Sequence, residues 1–222
     1  MNPKLTAVFF DLDGTLLDTA PDLAAALNRL LRSKSMPELP LTAVRNVVSD
    51  GANAMLQMAF NCKPNDNGFA ELRSALLNFY LLDLATHTTT FDGIDTLLEN
   101  LASKGIHWGV VTNKPWTYTE PLMNAFKFSS EPCSIICPEH VEERKPAPDA
   151  LLLACKQSAC LPQNALYIGD HKRDILCGIN AGMPTIAVGY GYIDANDSHE
   201  NWNATHCVNN ASEIWPIIET YL

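Results

Sequence analysis

Two aspartates one residue apart, Asp11 and Asp13, close a short apolar run, Val8-Phe9-Phe10, and are followed at once by Gly14 and Thr15. In an extended chain, side chains two positions apart project to the same side. Two carboxylates so placed repel each other, and their proximity makes sense when a hard cation or a shared proton holds them together. A second acidic pair, Asp170 and Asp174, stands in Gly169-Asp170-His171-Lys172-Arg173-Asp174. Together the two pairs could bind Mg²⁺. Taken singly, Asp18, Asp170 or Asp174 is what helix caps and turns ordinarily contain, and one pair alone is read that way first.

Two further groups change that reading. Val110-Val111-Thr112-Asn113-Lys114-Pro115 sets a hydroxyl and an amide at the end of an apolar run, where the Thr112 oxygen and nearby N–H groups can bond the oxygens of an anion. Arg144-Lys145-Pro146-Ala147-Pro148-Asp149 sets a lysine before a helix start; it is either an exposed loop residue or a cation able to neutralise a phosphate and a carboxylate. A small anionic ligand would need such local groups, because the chain as a whole repels it: 25 acidic against 15 basic residues give a net charge of −10. The same balance, with no run of Lys or Arg, argues against a nucleic-acid partner or an anionic membrane. Seven cysteines without a Cys-x-x-Cys pair read as core thiols. The opening Met1-Asn2-Pro3-Lys4 leads into an apolar stretch that Asp11 interrupts too early for a signal or spanning segment, so a reducing cytoplasm is expected.

These residues need strands to carry them. Runs like Val8–Phe10 recur at Trp108–Thr112, Ser134–Cys137, Leu166–Gly169 and Thr185–Val188, separated by stretches of helical periodicity. Strand alternating with helix predicts an α/β fold with a parallel sheet. Ile94, Leu97, Leu98 and Leu101 form one helical stripe that stops at Gly105, and Pro148–Ala159 and Asp174–Ala181 read as two more helices. Between the first strand and Ile94 no strand is convincing, but helices are. Thr19 is placed to cap one, with Pro21 in its first turn and Leu23, Leu27, Leu30 and Leu31 as its stripe. Leu72, Leu76, Phe79 and Tyr80 form another, and turns are expected at 35–40 and 63–68. Such an insertion would sit over the C-terminal strand ends, where open α/β sheets bind ligands.

Asp11-Leu12-Asp13-Gly14-Thr15, Thr112, Lys145, and Gly169-Asp170 with Asp174 come in an order and at predicted strand ends that resemble the haloacid dehalogenase superfamily of aspartate-nucleophile phosphotransferases. The insertion resembles the helical cap of its phosphoglycolate phosphatase-like subgroup. The resemblance spans essentially the whole chain. It implies a Rossmann-like three-layer core of residues 1–17 and 90–222, with a helical cap of residues 18–89 inserted after the first strand. It further implies Asp11 as nucleophile and Asp13 as acid and then base. Mg²⁺ would be held by Asp11, the Asp13 carbonyl, Asp170 and, directly or through water, Asp174. Lys145 would hold Asp11 and the phosphate, and Thr112 with the amides of Leu12 and Asn113 would bind phosphoryl oxygens. Family dehalogenases lack the second carboxylate of the first motif, so Asp13 points to phosphoryl transfer.

Val44 to Met55, Trp108 to Pro115 and Gly189-Tyr190-Gly191-Tyr192-Ile193 resemble the subgroup acting on N-acetylmuramic acid 6-phosphate in cell-wall recycling. Phosphoglycolate is the second expectation, followed by other sugar or nucleotide phosphates. A sugar phosphomutase on the same core and a binding module without turnover are the remaining readings. Both leading substrates carry a carboxylate, for which Arg45 is the candidate partner; the alternative is a solvated arginine on a helix face. His171 and Arg173 read as surface groups, Trp116 as packing near the entrance, and Cys177 as core.

Overall fold

A computed structural model describes residues 4–222; residues 1–3 of the first predicted core segment lie outside the described residues. The chain divides into two compact units, one running to Leu17 and resuming at Thr90, the other Asp18–Thr89. After strand β1 (Ala7–Phe10), the chain leaves the larger unit at β2 (Leu17–Asp18) and returns to it at β3 (Thr89–Thr90), and these two short strands form a sheet of their own.

The smaller unit is helical: α1 (Ala20–Ser33), α2 (Leu41–Arg45), α3 (Gly51–Phe60) and α4 (Phe69–Leu82). Helix α1 packs along α4, burying the predicted Leu23, Leu27, Leu30 and Leu31 together with Leu76 and Tyr80. Of the second stripe, Leu72 and Phe79 stay half-buried, and the Arg29 guanidinium lies 4.7 Å from the centre of the Phe79 ring. Thr19 precedes α1 but does not cap it with its side chain. Its backbone is already helical, at φ −89° and ψ −8°, whereas a cap oxygen reaches the first-turn amides from an extended backbone.

The larger unit continues with α5 (Ile94–Ser103), β4 (His107–Val111), α6 (Trp116–Asn124), β5 (Ile135–Ile136), α7 (Asp149–Gln157), β6 (Ala165–Gly169), α8 (Lys172–Asn180), β7 (Thr185–Val188), β8 (His206–Val208) and α9 (Ile214–Glu219). Six strands form one parallel sheet in the order β5-β4-β1-β6-β7-β8. Every residue of β1, β6 and β7 is buried, which is why these strands read as unbroken apolar runs rather than alternating ones. Ala7 and Phe9 of β1, with Ala165 and Tyr167 of β6, face a cluster built with α7 and α8. Phe10, one position on, meets Trp108 edge-on with ring centres 6.4 Å apart.

The sequence does not announce β8. It is a three-residue edge strand, His206-Cys207-Val208, in which only Val208 is buried. Backbone pairing holds it, with the Gly189 amide donating to the Val208 carbonyl at 2.8 Å, and hydropathy cannot reveal such a strand. Helix α8 begins two residues before the expected Asp174. His171 is its cap, Nδ1 accepting the Arg173 amide at 3.0 Å while Asp174 accepts the His171 amide at 3.1 Å. His171, read as a surface group, is half-buried and also closes a helix end, a role that imidazole nitrogen fills less often than Ser or Asp oxygen.

Candidate active site

The register aligns Phe10 with Val110 on one side and with Ile168 on the other. Asp11, Thr112 and Asp170, one or two residues beyond these, therefore emerge together at the C-terminal ends of three adjacent strands, the edge where parallel sheets place their sites. The turn after β1 is tight: the Leu12 carbonyl accepts the amides of Leu16 at 3.1 Å and Leu17 at 2.9 Å, and Gly14 adopts φ +85°. A side chain at Gly14 would be strained at that angle and would also run into the Asp170 carboxylate. Gly191 lies equally close on Asp170, and Gly169 on Asp174, so the acidic groups sit in a cradle of glycine backbone.

Asp11, Asp170 and Asp174 each offer one oxygen within 4.8 Å of the others. Lys145 enters this cluster with a side chain only 1% exposed, its Nζ 2.8 Å from Asp11 Oδ1 and 2.6 Å from Asp174 Oδ1. It also donates toward the Tyr167 hydroxyl at 2.8 Å and the Val111 carbonyl at 3.0 Å. The cluster holds three carboxylates and one ammonium, which pairs with two of them, and the electrostatics follow. Burial, reinforced by the charge of Asp174, pushes Asp11 up to about 6 against the pull of Lys145. Burial with repulsion from Asp11 and Asp174 pushes Asp170 up to about 8, although the Tyr192 amide and the Thr15 hydroxyl favour its ionised form. Burial works against the charge on Lys145, but Asp11 and Asp174 outweigh it and hold the ammonium well above the ordinary lysine value. With all three carboxylates ionised the cluster would carry two negative charges in excess, on hard oxygen ligands, and a divalent oxygen-seeking cation such as Mg²⁺ could compensate them.

Asp13 stands apart from that cluster. Its carboxylate receives Lys114 Nζ at 2.9 and 3.2 Å. The Thr112 oxygen accepts the Lys114 amide at 3.1 Å, and the Asn113 side chain donates to the Lys145 carbonyl at 3.2 Å. The Leu12 amide donates to Asp11 Oδ1 at 2.7 Å, so that oxygen takes both the amide and the ammonium. Arg45 is not simply a solvated arginine: in the smaller unit, Nη2 pairs with Asp18 Oδ2 at 2.7 Å. Cys177 is core as expected, its thiol directed at the Ala147 carbonyl at 3.0 Å, and the Trp116 ring meets His140 edge-on at 5.2 Å.

Sequence reasoning passed over Thr15, Tyr167, Tyr192 and the role of Lys114. Thr15 Oγ1 donates to Asp170 Oδ1 at 3.0 Å, and the Tyr192 amide donates to Asp170 Oδ2 at 2.7 Å. Tyr167 donates to the Val111 carbonyl at 2.8 Å while its oxygen accepts from Lys145. Thr15 and Lys114 flank motif residues and could have been singled out by position. Tyr167 lies inside a buried strand and looks like any core aromatic.

The family description "Haloacid dehalogenase-like hydrolase" matches residues 8–188, and the chain belongs to that family. It is similar to the N-acetylmuramic acid 6-phosphate phosphatase of Pseudomonas putida, with 41% identity over 99% of this chain and 98% of the relative. It is similar also to a phosphoglycolate phosphatase of Xanthomonas campestris, with 37% identity over 94% of each chain. By class the chain is thus a phosphatase of this family. In fold it superposes on the crystal structure of a predicted phosphoglycolate phosphatase from Haemophilus somnus with a TM-score of 0.83, at 24% identity over 96% of this chain and 97% of that one.

Proposed function

We propose that this phosphatase hydrolyses a small phosphate monoester through a phospho-aspartate on Asp11, with Mg²⁺ as cofactor and N-acetylmuramic acid 6-phosphate as substrate. The observation that carries the reading is the buried cluster of Asp11, Asp170, Asp174 and Lys145 with Asp13 two residues from the nucleophile. A carboxylate oxygen of Asp11 attacks phosphorus and the bond from phosphorus to the leaving oxygen breaks, while Asp13 gives that oxygen a proton. Water then attacks the same phosphorus, Asp13 takes its proton, and the Asp11–phosphorus bond breaks to release phosphate. Lys145, fixed by its carboxylate and carbonyl partners, holds Asp11 and faces the transferred charge. Thr112 and the amides of Leu12 and Asn113 take phosphoryl oxygens; the Leu12 amide, now on Asp11, lies where nucleophile and phosphoryl group meet.

Asp11, Asp170 and the Asp13 carbonyl, with Asp174 directly or through water, would hold the Mg²⁺. When bound, that ion supplies positive charge for the phosphoryl oxygens and for the excess carboxylates. The substrate follows the relative at 41% identity, with phosphoglycolate, the substrate named for the relative at 37%, as the alternative. Arg45, its guanidinium held by Asp18, is the proposed selector of a substrate carboxylate. Phosphate release should be measured for both compounds and for p-nitrophenyl phosphate, in Mg²⁺ and in EDTA. The reading expects turnover only with the metal and highest kcat/KM on the muramate ester; full activity in chelator would remove the metal, and preference for phosphoglycolate would change the substrate. Arg45→Ala should lose on the order of 10-fold to 100-fold in kcat/KM on the carboxylated ester and little on the aryl one.

A further inference from the structure

The Lys114 backbone is bound into the larger unit at two points, its amide and its carbonyl. Its amide donates to Thr112 Oγ1 at 3.1 Å, its carbonyl accepts the hydroxyl of the fully buried Thr119 at 3.2 Å, and Pro115 follows it as the first residue outside α6. With the backbone clamped on both sides, the side chain reaches Asp13, where Nζ contacts both carboxylate oxygens, at 2.9 and 3.2 Å. The Lys114 side chain is 7% exposed and that of Asp13 20%. An exposed ion pair contributes little because solvent screens it and side-chain entropy opposes it. A lysine this enclosed, on a backbone this constrained, instead fixes one rotamer of its partner.

We propose that Lys114 is a positioning residue for Asp13: it holds the carboxyl group in the orientation from which a proton reaches the leaving oxygen. The inference rests on the proposed role of Asp13 as acid. A carboxyl group able to turn away satisfies its hydrogen bonds with water, and a proton donor must lie within hydrogen-bond reach of its acceptor. Lys145 shows the contrast, since its ammonium serves Asp11 and Asp174 and not Asp13.

The test uses leaving groups. kcat/KM reports the steps through formation of the phospho-enzyme, and only a poor leaving group needs a proton there. Lys114→Met should lower kcat/KM on an alkyl phosphate by on the order of 10²-fold, the scale of general acid catalysis, and on 2,4-dinitrophenyl phosphate by less than about 3-fold. Lys114→Arg should recover most of the loss. Combined with Asp13→Asn, Lys114→Met should cost nothing further, because the two act as one unit. Equal losses on both substrates, or losses that add to those of Asp13→Asn, would overturn the inference. If Asp13→Asn itself spares the alkyl phosphate, the acid assignment fails instead. If Asp13→Asn loses it while Lys114→Met does not, the acid stands and the positioning role falls.

Discussion

The two units use charge in opposite ways. In the larger one, Asp170, Asp174 and Lys145 are almost wholly withdrawn from solvent, and the carboxylates there repel one another more than one ammonium can offset. In the smaller one, the ion pairs Arg29–Asp83 and Arg32–Glu38 have side chains 43–57% exposed. The buried acid there, Asp22, accepts the amides of His87 and Thr88 and the Thr88 hydroxyl at 2.6–3.2 Å. Asp22 takes three hydrogen bonds from its own unit; Asp170 takes two and also faces the charges of Asp11 and Asp174. Perturbed groups gather where chemistry is done, and satisfied ones where a fold is being held.

The sharpest way to break this comparison is Asp11→Asn. The amide nearly matches the carboxylate in shape but is a poor nucleophile, so kcat should fall by on the order of 10⁴-fold or more while thermal stability is kept. Retained turnover would end the covalent reading. Asp22→Ala should do the reverse. It strands the His87 and Thr88 donors and should cost about 2–4 kcal/mol in denaturant unfolding, with turnover per folded molecule kept at temperatures where the variant stays folded. A loss of turnover in fully folded protein would blur the division between the units.

Acidity gives a third test. Burial and carboxylate repulsion push Asp11 up to about 6 and Asp170 up to about 8 from the ordinary 3.8, so the folded chain holds more protons than the unfolded one across that interval. In chelator, stability should therefore fall as pH rises from near 4, through 6 for the first group and 8 for the second, by roughly 1.4 kcal/mol per pH unit for each group titrating. Mg²⁺ should offset the loss, most at the alkaline end, where the carboxylates it binds are ionised. Melting curves at pH 5 and pH 8, with EDTA and with Mg²⁺, measure both slopes; a metal-free protein that is more stable at pH 8 would contradict the buried-repulsion account. The smallest effect belongs to Arg32→Ala, which should change unfolding free energy by less than about 0.5 kcal/mol, since its pairing with Glu38 is solvated. A larger cost would show the surface pairs of the smaller unit to be structural.

What the sequence settled by itself was the pattern. Apolar runs gave the central strands because both faces of a parallel sheet are buried, and ordered Asp, Thr and Lys motifs at the ends of those runs gave the family. It could not show β8, whose pairing is made by backbone groups that every residue carries, nor that Thr19 fails as a cap while His171 succeeds, since capping depends on backbone angles. Only the tertiary structure brought Tyr167 to Lys145 and aimed Lys114 at Asp13 across 101 positions of chain. Residue type says which groups can ionise or donate; which partner each finds, and how far burial shifts it, is decided when strands distant in sequence lie side by side and exclude the water between them.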